Sequence, residues 1–285
     1  MSPHTKLCRL SLLALAAATL IAGCTPEAEP QAPAPGNEPS VQAPGPADQQ
    51  PSDREPQPAP DPSPSPEPEP DPDPDPDPAA SSYPSWNGRE VKPVTNPDAI
   101  DVLVNKEYVL SPDYVPPDLV EPAVRFIFAE KNERRLMRAE AAAALEEMFA
   151  AAEEDGIYLA GVSGYRSYAY QEMLFSYYVS ADGLELAQRY SARPGQSEHQ
   201  TGLAMDVSGS TGECAADDCF AGTPEAEWLA AHAHEFGFIV RYPEGKEDVT
   251  GYMYEPWHVR YLGKELARKV YDSGLTYEEY LAQTR

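Results

Sequence analysis

The amino-acid sequence predicts a small α+β domain in which helices flank a mainly antiparallel sheet. Three patterns indicate this fold class: an alanine-rich helical segment in the first half of the domain, short apolar segments typical of strands in the second half, and helical segments that close the chain. The sequence contains no internal repeat outside a proline-rich stretch near the N-terminus. We therefore expect one domain, which spans residues 95–285.

The longest helix is predicted over Glu133–Ala152, where apolar side chains recur near one face. A later helix has a clear start, because Thr223 is suited to cap it and Pro224 fits its first turn. Thr276 and Glu279 have the spacing of a capping box, in which each side chain bonds the backbone N–H of the other. The predicted helices after the first span residues 168–179, 184–190, 224–235, 264–272 and 277–283.

Short segments rich in β-branched and aromatic residues predict the strands. These strands span residues 100–104, 157–162, 203–207, 238–240 and 258–262. Side chains alternate between the two faces of a strand, so Ala204 and Asp206 are expected on the same face.

Residues 1–23 have the pattern of a bacterial export signal. A positively charged start precedes Leu10–Ala22, which is almost wholly apolar but too short to cross a bilayer as a helix. The run ends in Ile-Ala-Gly-Cys24, which resembles the lipobox of bacterial lipoproteins, where the cysteine is acylated and becomes the new N-terminus. An ordinary cleavable signal with an incidental cysteine is the alternative. The position of Cys24 directly after the apolar run favours lipidation.

Residues 24–85 are expected to be a disordered tether. Residues 25–80 hold 20 of the 32 prolines of the chain and 13 Asp or Glu against one Arg. Because proline restricts the backbone and like charges repel, we expect an extended, polyproline-II-like segment. At ~3.1 Å per residue it would reach up to roughly 170 Å. A plain spacer is the expected role, and a binding function is the alternative.

The formal net charge of the chain is −26 at pH 7. The excess of acidic residues continues beyond the tether into the domain. Nucleic acid and anionic membrane surfaces repel such a protein, so neither is expected as a partner. The membrane contact that we expect is the lipid anchor at Cys24.

Cys214 and Cys219 remain once the export signal and the lipid attachment account for Cys8 and Cys24. In an exported protein, two cysteines this close in sequence favour a local disulfide that closes one loop. A metal site is the alternative, which no nearby histidine or further cysteine supports.

Two segments place a histidine and a carboxylate at short spacing. Two imidazoles and one carboxylate can hold a divalent metal and leave a position open for water. The remaining carboxylate could then act on that water as a base. Two ordinary structural histidines are the alternative. The segments read Ser197-x-His199-x-x-Gly202-x-Ala204-x-Asp206 and Glu255-Pro-Trp-His258.

Arg166 is a further candidate for the site, whereas His232 and His234 are not. A guanidinium at the end of a strand can stabilise the negative oxygen that forms when water attacks a carbonyl. A surface salt bridge is the alternative, since an acidic protein offers many carboxylates. His232 and His234 lie about 200° apart around one predicted helix, so packing or surface roles are expected for them.

The motifs also carry a family resemblance. They are Ser163-Gly-Tyr-Arg-Ser167 with Gln171, the Ser197–Asp206 motif, Glu255-Pro-Trp-His258-x-Arg260-Tyr261, Leu103-Val-Asn-Lys106, Tyr114-x-Pro116-x-Asp118-Leu-Val120, Gly237-Phe-Ile-Val-Arg-Tyr-Pro243 and Gly274-Leu-Thr-Tyr-Glu-Glu-Tyr280. They resemble VanY-type D-alanyl-D-alanine carboxypeptidases, which belong to a zinc peptidase group with lysostaphin-like enzymes and the hedgehog domain. The resemblance covers about residues 100–285, without departure at a metal or base position. It implies a zinc cleft on the sheet.

The resemblance implies that His199, Asp206 and His258 bind one Zn²⁺. Glu255 would be the general base and later the acid that protonates the leaving amine. The chemistry agrees, because zinc lowers the pKa of bound water toward ~7 and a nearby glutamate can take its proton.

Three further residues receive roles from the resemblance. Arg166 would polarise the scissile carbonyl and stabilise the oxyanion. Ser197 would hold the terminal carboxylate of the substrate, and Gln171 would line the same pocket. An exopeptidase must bind a free carboxylate, which a hydroxyl and an arginine can supply.

We therefore expect a lipid-anchored zinc carboxypeptidase that removes the C-terminal D-alanine from peptidoglycan stem peptides. Cleavage of D-Ala-D-Ala is the first expectation. An L,D-carboxypeptidase that acts on tetrapeptide stems is the alternative, because both activities share the motifs. A wall-binding module without turnover is a different class, which the presence of Glu255 and Arg166 disfavours. The protein is expected as a monomer outside the cytoplasm, anchored to the cell envelope.

Overall fold

The structure is a computed structural model that describes residue 88 and residues 90–284. These residues belong to one compact unit. The expected signal peptide (1–23), Cys24 and the expected tether (24–85) lie outside the described residues, so these assignments stay predictions. In the described part of the chain, no helix has both the length and the apolar character that a membrane crossing requires.

The helices and strands of the described residues follow one another in a mixed order. The helices are α1 (Ala139–Glu154), α2 (Tyr168–Asp182), α3 (Leu184–Tyr190), α4 (Pro224–His232), α5 (Glu247–Thr250), α6 (Lys264–Ser273) and α7 (Tyr277–Thr284). The strands are β1 (Lys92–Pro93), β2 (Tyr108–Val109), β3 (Leu119–Val120), β4 (Met137–Arg138), β5 (Leu159–Ser163), β6 (Ala204–Gly209), β7 (Phe238–Tyr242) and β8 (Glu255–Tyr261). Short 3₁₀ turns lie at Glu133–Arg135, Glu198–Thr201, Asp218–Phe220 and Ala233–Phe236.

The central sheet has four strands in the order β5-β6-β8-β7, and all neighbours are antiparallel. Two small pairs lie outside it: β1 with β2, which is parallel, and β3 with β4, which is antiparallel. The predicted α+β class with a mainly antiparallel sheet is confirmed.

One face of the sheet packs against α1 and α4. Met205 and Val207 of β6 and Val259 of β8 are fully buried in this core. Because side chains alternate along a strand, Asp206 and His258 point to the opposite face. The strand periodicity therefore separates the apolar core from the candidate site.

A second, smaller apolar cluster lies where α6 and α7 pack near β7. Ile239 points into this cluster, whereas its neighbour Phe238 points into the first core. Helices thus contribute to cores on both faces of the sheet. The members of the second cluster are Ile239, Leu262, Ala267, Val270, Tyr277 and Leu281.

The first predicted helix begins later than expected. The segment Glu133–Arg135 is a 3₁₀ turn capped by the side chain of Asn132, and the α-helix starts only at Ala139. The carbonyl of Leu136 accepts a 2.7 Å hydrogen bond from the backbone N–H of Tyr165. This long-range hydrogen bond overrides the helical pattern of the segment.

The strand predicted over residues 100–104 is wrong. These residues form turns and irregular backbone, although Val102 and Val104 are buried in the core. The carbonyls of Ile100 and Val102 accept hydrogen bonds from the guanidinium of Arg260, at 2.9 and 2.7 Å. The apolar character of the segment therefore reflects packing and not strand pairing.

Strand β8 begins at Glu255, three residues before the predicted start, and includes Pro256. The register between β7 and β8 shifts between Val240 and Tyr242, opposite the proline. The pairs that β8 makes with β6 extend from His258 to Arg260, beyond the proline. Proline is tolerated because it lies where it does not have to donate a ladder hydrogen bond.

The predicted helix caps are present. The hydroxyl of Thr223 accepts from the backbone N–H of Ala226 at 3.2 Å, with Pro224 in the first turn. Thr276 and Glu279 exchange hydrogen bonds of 2.8 and 3.2 Å. These ends form as predicted because a cap involves only residues within one helical turn.

Candidate metal and catalytic site

Asp206 and His258 face each other on the adjacent antiparallel strands β6 and β8, as a direct pair in the register. The distance between Asp206 Oδ1 and His258 Nδ1 is 3.1 Å. Both side chains are about 4% exposed. The sheet alone therefore brings two of the predicted metal ligands together.

His199 reaches the same place from the 3₁₀ turn at Glu198–Thr201. Its Nε2 lies 3.3 Å from Asp206 Oδ2. Gly202 ends the turn in the left-handed region, with φ +67°. A Cβ at this position would lie 2.8 Å from a methyl group of Leu119 and 3.3 Å from the backbone N of Arg138. Glycine is thus required for the chain to pass from the turn into β6.

One ligand atom from each of His199, Asp206 and His258 lies within 4.8 Å of the other two, and all three residues are buried. The nitrogen of each imidazole that points away from Asp206 faces an acceptor. His199 Nδ1 lies 2.7 Å from the carbonyl oxygen of Gly164, and His258 Nε2 lies 3.4 Å from Glu198 Oε2. Two imidazoles held in this way and one carboxylate suit a catalytic zinc ion with an open position.

The pKa values of the three cluster residues shift in different directions. Burial would raise the pKa of Asp206, but His199 and Arg166 outweigh it and hold this pKa well below its usual range. Burial, with Arg166 beside it, lowers the pKa of His199 to about 4. Burial opposes the charge on His258, but hydrogen bonds to Asp206 and Glu198 raise its pKa to about 9. Asp206 is thus the anionic centre of the cluster.

Glu255 lies at the start of β8, three residues before His258. Its Oε2 is 3.7 Å from His258 Nδ1, so it is a neighbour of the cluster and not a member of it. Burial raises the pKa of the Glu255 carboxyl to about 8; His258 opposes the shift and Asp206 adds to it. A carboxyl whose pKa lies near neutral pH can both take and return a proton.

Arg166 follows β5 and lies at the edge of the cluster. Its Nη2 donates to Asp206 Oδ2, and its Nε donates to the hydroxyl of Ser163 at 2.9 Å. The side chain is 16% exposed, whereas that of Asp206 is 4% exposed. The guanidinium therefore joins the buried carboxylate to the open side of the site.

A cavity of about 310 Å³ opens beside the cluster. It is lined by all the predicted metal and catalytic residues and by Ser197, whose side chain makes no capping bond to the 3₁₀ turn. Gln171 is buried behind this wall, where its amide donates to the carbonyl of Ala192 at 2.7 Å. Ala192, and not Gln171, lines the cavity. A larger cavity of about 1000 Å³ elsewhere contains none of these residues.

Cys214 and Cys219 are joined by a disulfide. Three residues of the loop that it closes, Ala216, Asp217 and Asp218, line the cavity of the site. Two residues of this loop, Cys214 and Ala216, have positive φ without being glycine. The disulfide therefore closes a loop that forms part of the cavity wall.

His232 and His234 lie away from the cluster. His234 is stacked on Tyr271 with ring centroids 3.6 Å apart, and His232 Nδ1 is 3.2 Å from Glu235 Oε1. These are the packing and surface roles expected from their positions on the helix.

Glu198 was not recognised as a functional candidate from the sequence. Its carboxylate is fully buried, with Oε1 bonded to Arg241 and Arg260 and Oε2 directed at His258. The one available signal was its place between Ser197 and His199 in the motif. Its partners come from strands 43 and 62 residues further along the chain.

Comparison with known proteins matches this chain to carboxypeptidases. The family model described as VanY, D-alanyl-D-alanine carboxypeptidase, matches residues 134–264. The putative carboxypeptidase YodJ of Bacillus subtilis is 48% identical over 192 residues, which cover 67% of this chain and 70% of that protein.

Solved structures of both specificity classes are similar to this chain. The structure of the LD-carboxypeptidase LdcB is 47% identical, with a TM-score of 0.65, and the match covers 69% of this chain and 91% of that one. A mutant D,D-pentapeptidase VanY from a VanB-type vancomycin resistance cassette, in complex with Zn(II), is 34% identical, with a TM-score of 0.51. That match covers 64% of this chain and 98% of the other. The range matched by the family model contains every predicted site residue from Arg166 to His258.

Proposed function

The chain belongs to the VanY family of D-alanyl-D-alanine carboxypeptidases, and from this premise we propose that it is a zinc enzyme that removes the C-terminal D-alanine from peptidoglycan stem peptides. Its action as a carboxypeptidase on peptidoglycan follows from the family. The metal, the residue roles and the choice of stem peptide are the finer parts of the proposal.

The observation that carries the proposal is the convergence of His199, Asp206 and His258 within 4.8 Å, with Glu255 beside them. When bound by these three residues, Zn²⁺ would supply a Lewis acid that lowers the pKa of a water molecule to about 7. The buried carboxyl of Glu255 would take a proton from the attacking water. It would then return the proton to the leaving amine of D-alanine.

Arg166 and Ser197 complete the proposed chemistry. The Arg166 guanidinium would stabilise the negative charge that develops on the scissile carbonyl oxygen, because it lies at the open side of the cluster. The Ser197 hydroxyl lines the same cavity and would donate to the terminal carboxylate of the substrate. Gln171 would act indirectly, by holding the segment that contains Ala192.

Two stem peptides are candidate substrates. A pentapeptide that ends in D-Ala-D-Ala is the substrate that the family description favours. A tetrapeptide that ends in a single D-alanine is the second candidate, because the similarity to an LD-carboxypeptidase, at 47% identity, is higher than that to the D,D-pentapeptidase, at 34%. Both substrates present a C-terminal D-alanine to the same water, base and arginine.

We also propose that the enzyme is held at the outer side of the membrane by a lipid on Cys24. The apolar run that ends at this cysteine supports the proposal. The acidic, proline-rich residues 25–80 would then separate the anchor from the domain.

The experiment is a paired assay of the full chain with Zn²⁺. Synthetic pentapeptide and tetrapeptide stems are incubated separately, and released D-alanine is measured by mass spectrometry. Release from the pentapeptide supports the D,D assignment, and release from the tetrapeptide supports the L,D assignment. A pentapeptide that ends in L-alanine is the stereochemical control. No release from either substrate by protein that has bound zinc would contradict the proposal.

A further inference from the structure

The carboxylate of Glu198 is fully enclosed beside the candidate site. Its side chain, like those of Arg241 and Arg260, has no exposed surface. Glu198 Oε1 accepts from Arg241 Nε at 2.7 Å and from Arg260 Nη1 at 2.8 Å. A charge in such a place is costly unless it is paired, and here two cations share one oxygen.

The second oxygen of Glu198 is directed at a metal-ligand candidate. Oε2 lies 3.4 Å from Nε2 of His258, while Nδ1 of the same ring lies 3.1 Å from Asp206. The two nitrogens of His258 therefore have different neighbours: one faces the cluster and the other faces Glu198. The arrangement matches that of His199, whose outward nitrogen faces the carbonyl of Gly164.

The arginines keep Glu198 in its charged form. Two buried guanidiniums, of Arg241 and Arg260, donate to Oε1 at 2.7 and 2.8 Å, and both need an anion as their partner. A carboxylate accepts hydrogen bonds and donates none. Its nitrogen neighbour must therefore carry a proton, which leaves the other nitrogen of His258 free for a metal.

We propose that Glu198 is a positioning residue, which fixes the ring of His258 with Nε2 protonated and Nδ1 directed to the metal. The inference rests on the zinc site of the proposed function and adds a residue to it. Acceptors of this kind orient a metal-bound imidazole, and their loss typically weakens metal binding by about 10–100-fold.

The network that holds Glu198 extends to the last helix of the described chain. Arg241 donates through Nη1 and Nη2 to the carboxylate of Glu278 on α7, at 2.8 and 2.5 Å. Asn105 donates to the same carboxylate at 3.2 Å. Arg241 is thus paired with a carboxylate on each side, so it cannot follow a displaced Glu198 without breaking its ion pair with Glu278.

A network that served stability alone would not need the contact with His258. Its ion pairs are complete through Oε1 of Glu198 and through Glu278. A purely structural Glu198 would therefore change the free energy of unfolding and leave the zinc affinity of the folded protein unchanged. This difference separates the two roles.

The test compares the full chain with Glu198→Gln, which keeps the shape of the side chain and removes its charge. The zinc dissociation constant is measured by competition with a chelator, and folding is checked by circular dichroism. We expect the constant to rise about 10–100-fold. Glu147→Gln is the matched control, because Glu147 forms an exposed ion pair with Lys264. This variant should bind zinc like the parent.

Equal zinc affinity in Glu198→Gln and the parent would overturn the role of Glu198. If the parent itself bound no zinc, the proposed metal site would be wrong, which is a different outcome. If Glu198→Gln does not fold, the parent decides the question. Proton–nitrogen NMR spectra of its histidine rings, recorded with Zn²⁺, should assign a proton to Nε2 of His258, and a proton on Nδ1 would overturn the proposal.

Discussion

Asp206 and His258 are direct partners in the register of two antiparallel strands, with 3.1 Å between Oδ1 and Nδ1. Each residue lies within a regular hydrogen-bonded ladder. A slip by one residue would turn either side chain into the apolar core. The register of β6 and β8 therefore determines whether the proposed metal site can form.

Replacement of Glu255 by glutamine should separate catalysis from metal binding. Because Glu255 lies outside the cluster of ligands, we expect Glu255→Gln to bind zinc like the parent. The loss of the general base should lower kcat by about 10²–10⁴-fold. Zinc content and release of D-alanine are measured on the same preparation. A parallel loss of zinc would instead identify Glu255 as a ligand.

Alanine at Gly202 should damage both the fold and the metal site. The left-handed φ and the contact at 2.8 Å with Leu119 predict a loss of about 1–3 kcal/mol in the free energy of unfolding. Zinc affinity should also fall, because the turn that carries His199 must shift relative to Asp206.

Gly222→Ala is the matched control for this prediction. Gly222 has a similar φ of +75°, but a Cβ added there would meet no atom within 4 Å, so only the backbone cost of about 1 kcal/mol is expected. Urea unfolding and chelator competition give both quantities. Equal effects of the two substitutions would contradict the steric argument.

The stability of the protein should rise with pH through Lys106. Burial, with Arg193 beside it, lowers the pKa of this ammonium from 10.5 to about 7. Between these values the unfolded chain holds a proton that the folded chain has released, so the free energy of unfolding rises with pH.

Lys106→Met removes this titration and should flatten the curve. Between pH 7 and pH 9 the parent should gain about 2 kcal/mol more than the variant, measured by urea unfolding at both values. Parallel pH profiles for the two proteins would contradict the prediction.

Opening of the disulfide should loosen the wall of the cavity. For a loop with a sequence separation of 5 between Cys214 and Cys219, its loss should cost roughly 2 kcal/mol of stability. Since three residues of the loop line the cavity, we expect Cys214→Ser with Cys219→Ser to raise KM more than it lowers kcat. A reducing agent should reproduce the effect in the parent and leave the double variant unchanged. An unaltered KM would show that the loop does not contact the substrate.

The lipid anchor can be tested at Cys24. In cells that express the full chain, Cys24→Ala should move the protein from the membrane fraction to the soluble fraction, because an acyl chain supplies the attachment. Cys8→Ala is the control, since Cys8 lies within the expected signal peptide. Membrane retention of Cys24→Ala would argue against lipidation.

In the described part of the chain, local patterns in the sequence were sufficient for six of the seven helices and for the four strands of the central sheet, but not for β1–β4. The caps at Thr223 and Thr276 were predictable because all their hydrogen bonds lie within a few residues. The start of α1 was not predictable, since Leu136 is held in extended backbone by a hydrogen bond from the backbone N–H of Tyr165. A helical pattern does not reveal a partner that far along the chain.

The same limit applies to the site. His199, Asp206, Glu255 and His258 were predicted from two short motifs and their family resemblance, and the structure brings their side chains together. The contact of Glu198 with His258 was not predicted, because the arginine partners of Glu198 lie 43 and 62 residues away in sequence. Long-range ion pairs leave no periodicity to detect.

The ion pair between Arg241 and Glu278 bears on how the enzyme can be divided. A fragment that stops between His258 and Glu278 contains all the residues to which we assign metal binding and catalysis. It would nevertheless leave the guanidinium of Arg241 without its outer carboxylate, in a place that has no exposed surface. The range matched by the family model ends at residue 264 and is such a fragment. The smallest autonomous enzyme is therefore larger than the segment that contains its chemistry.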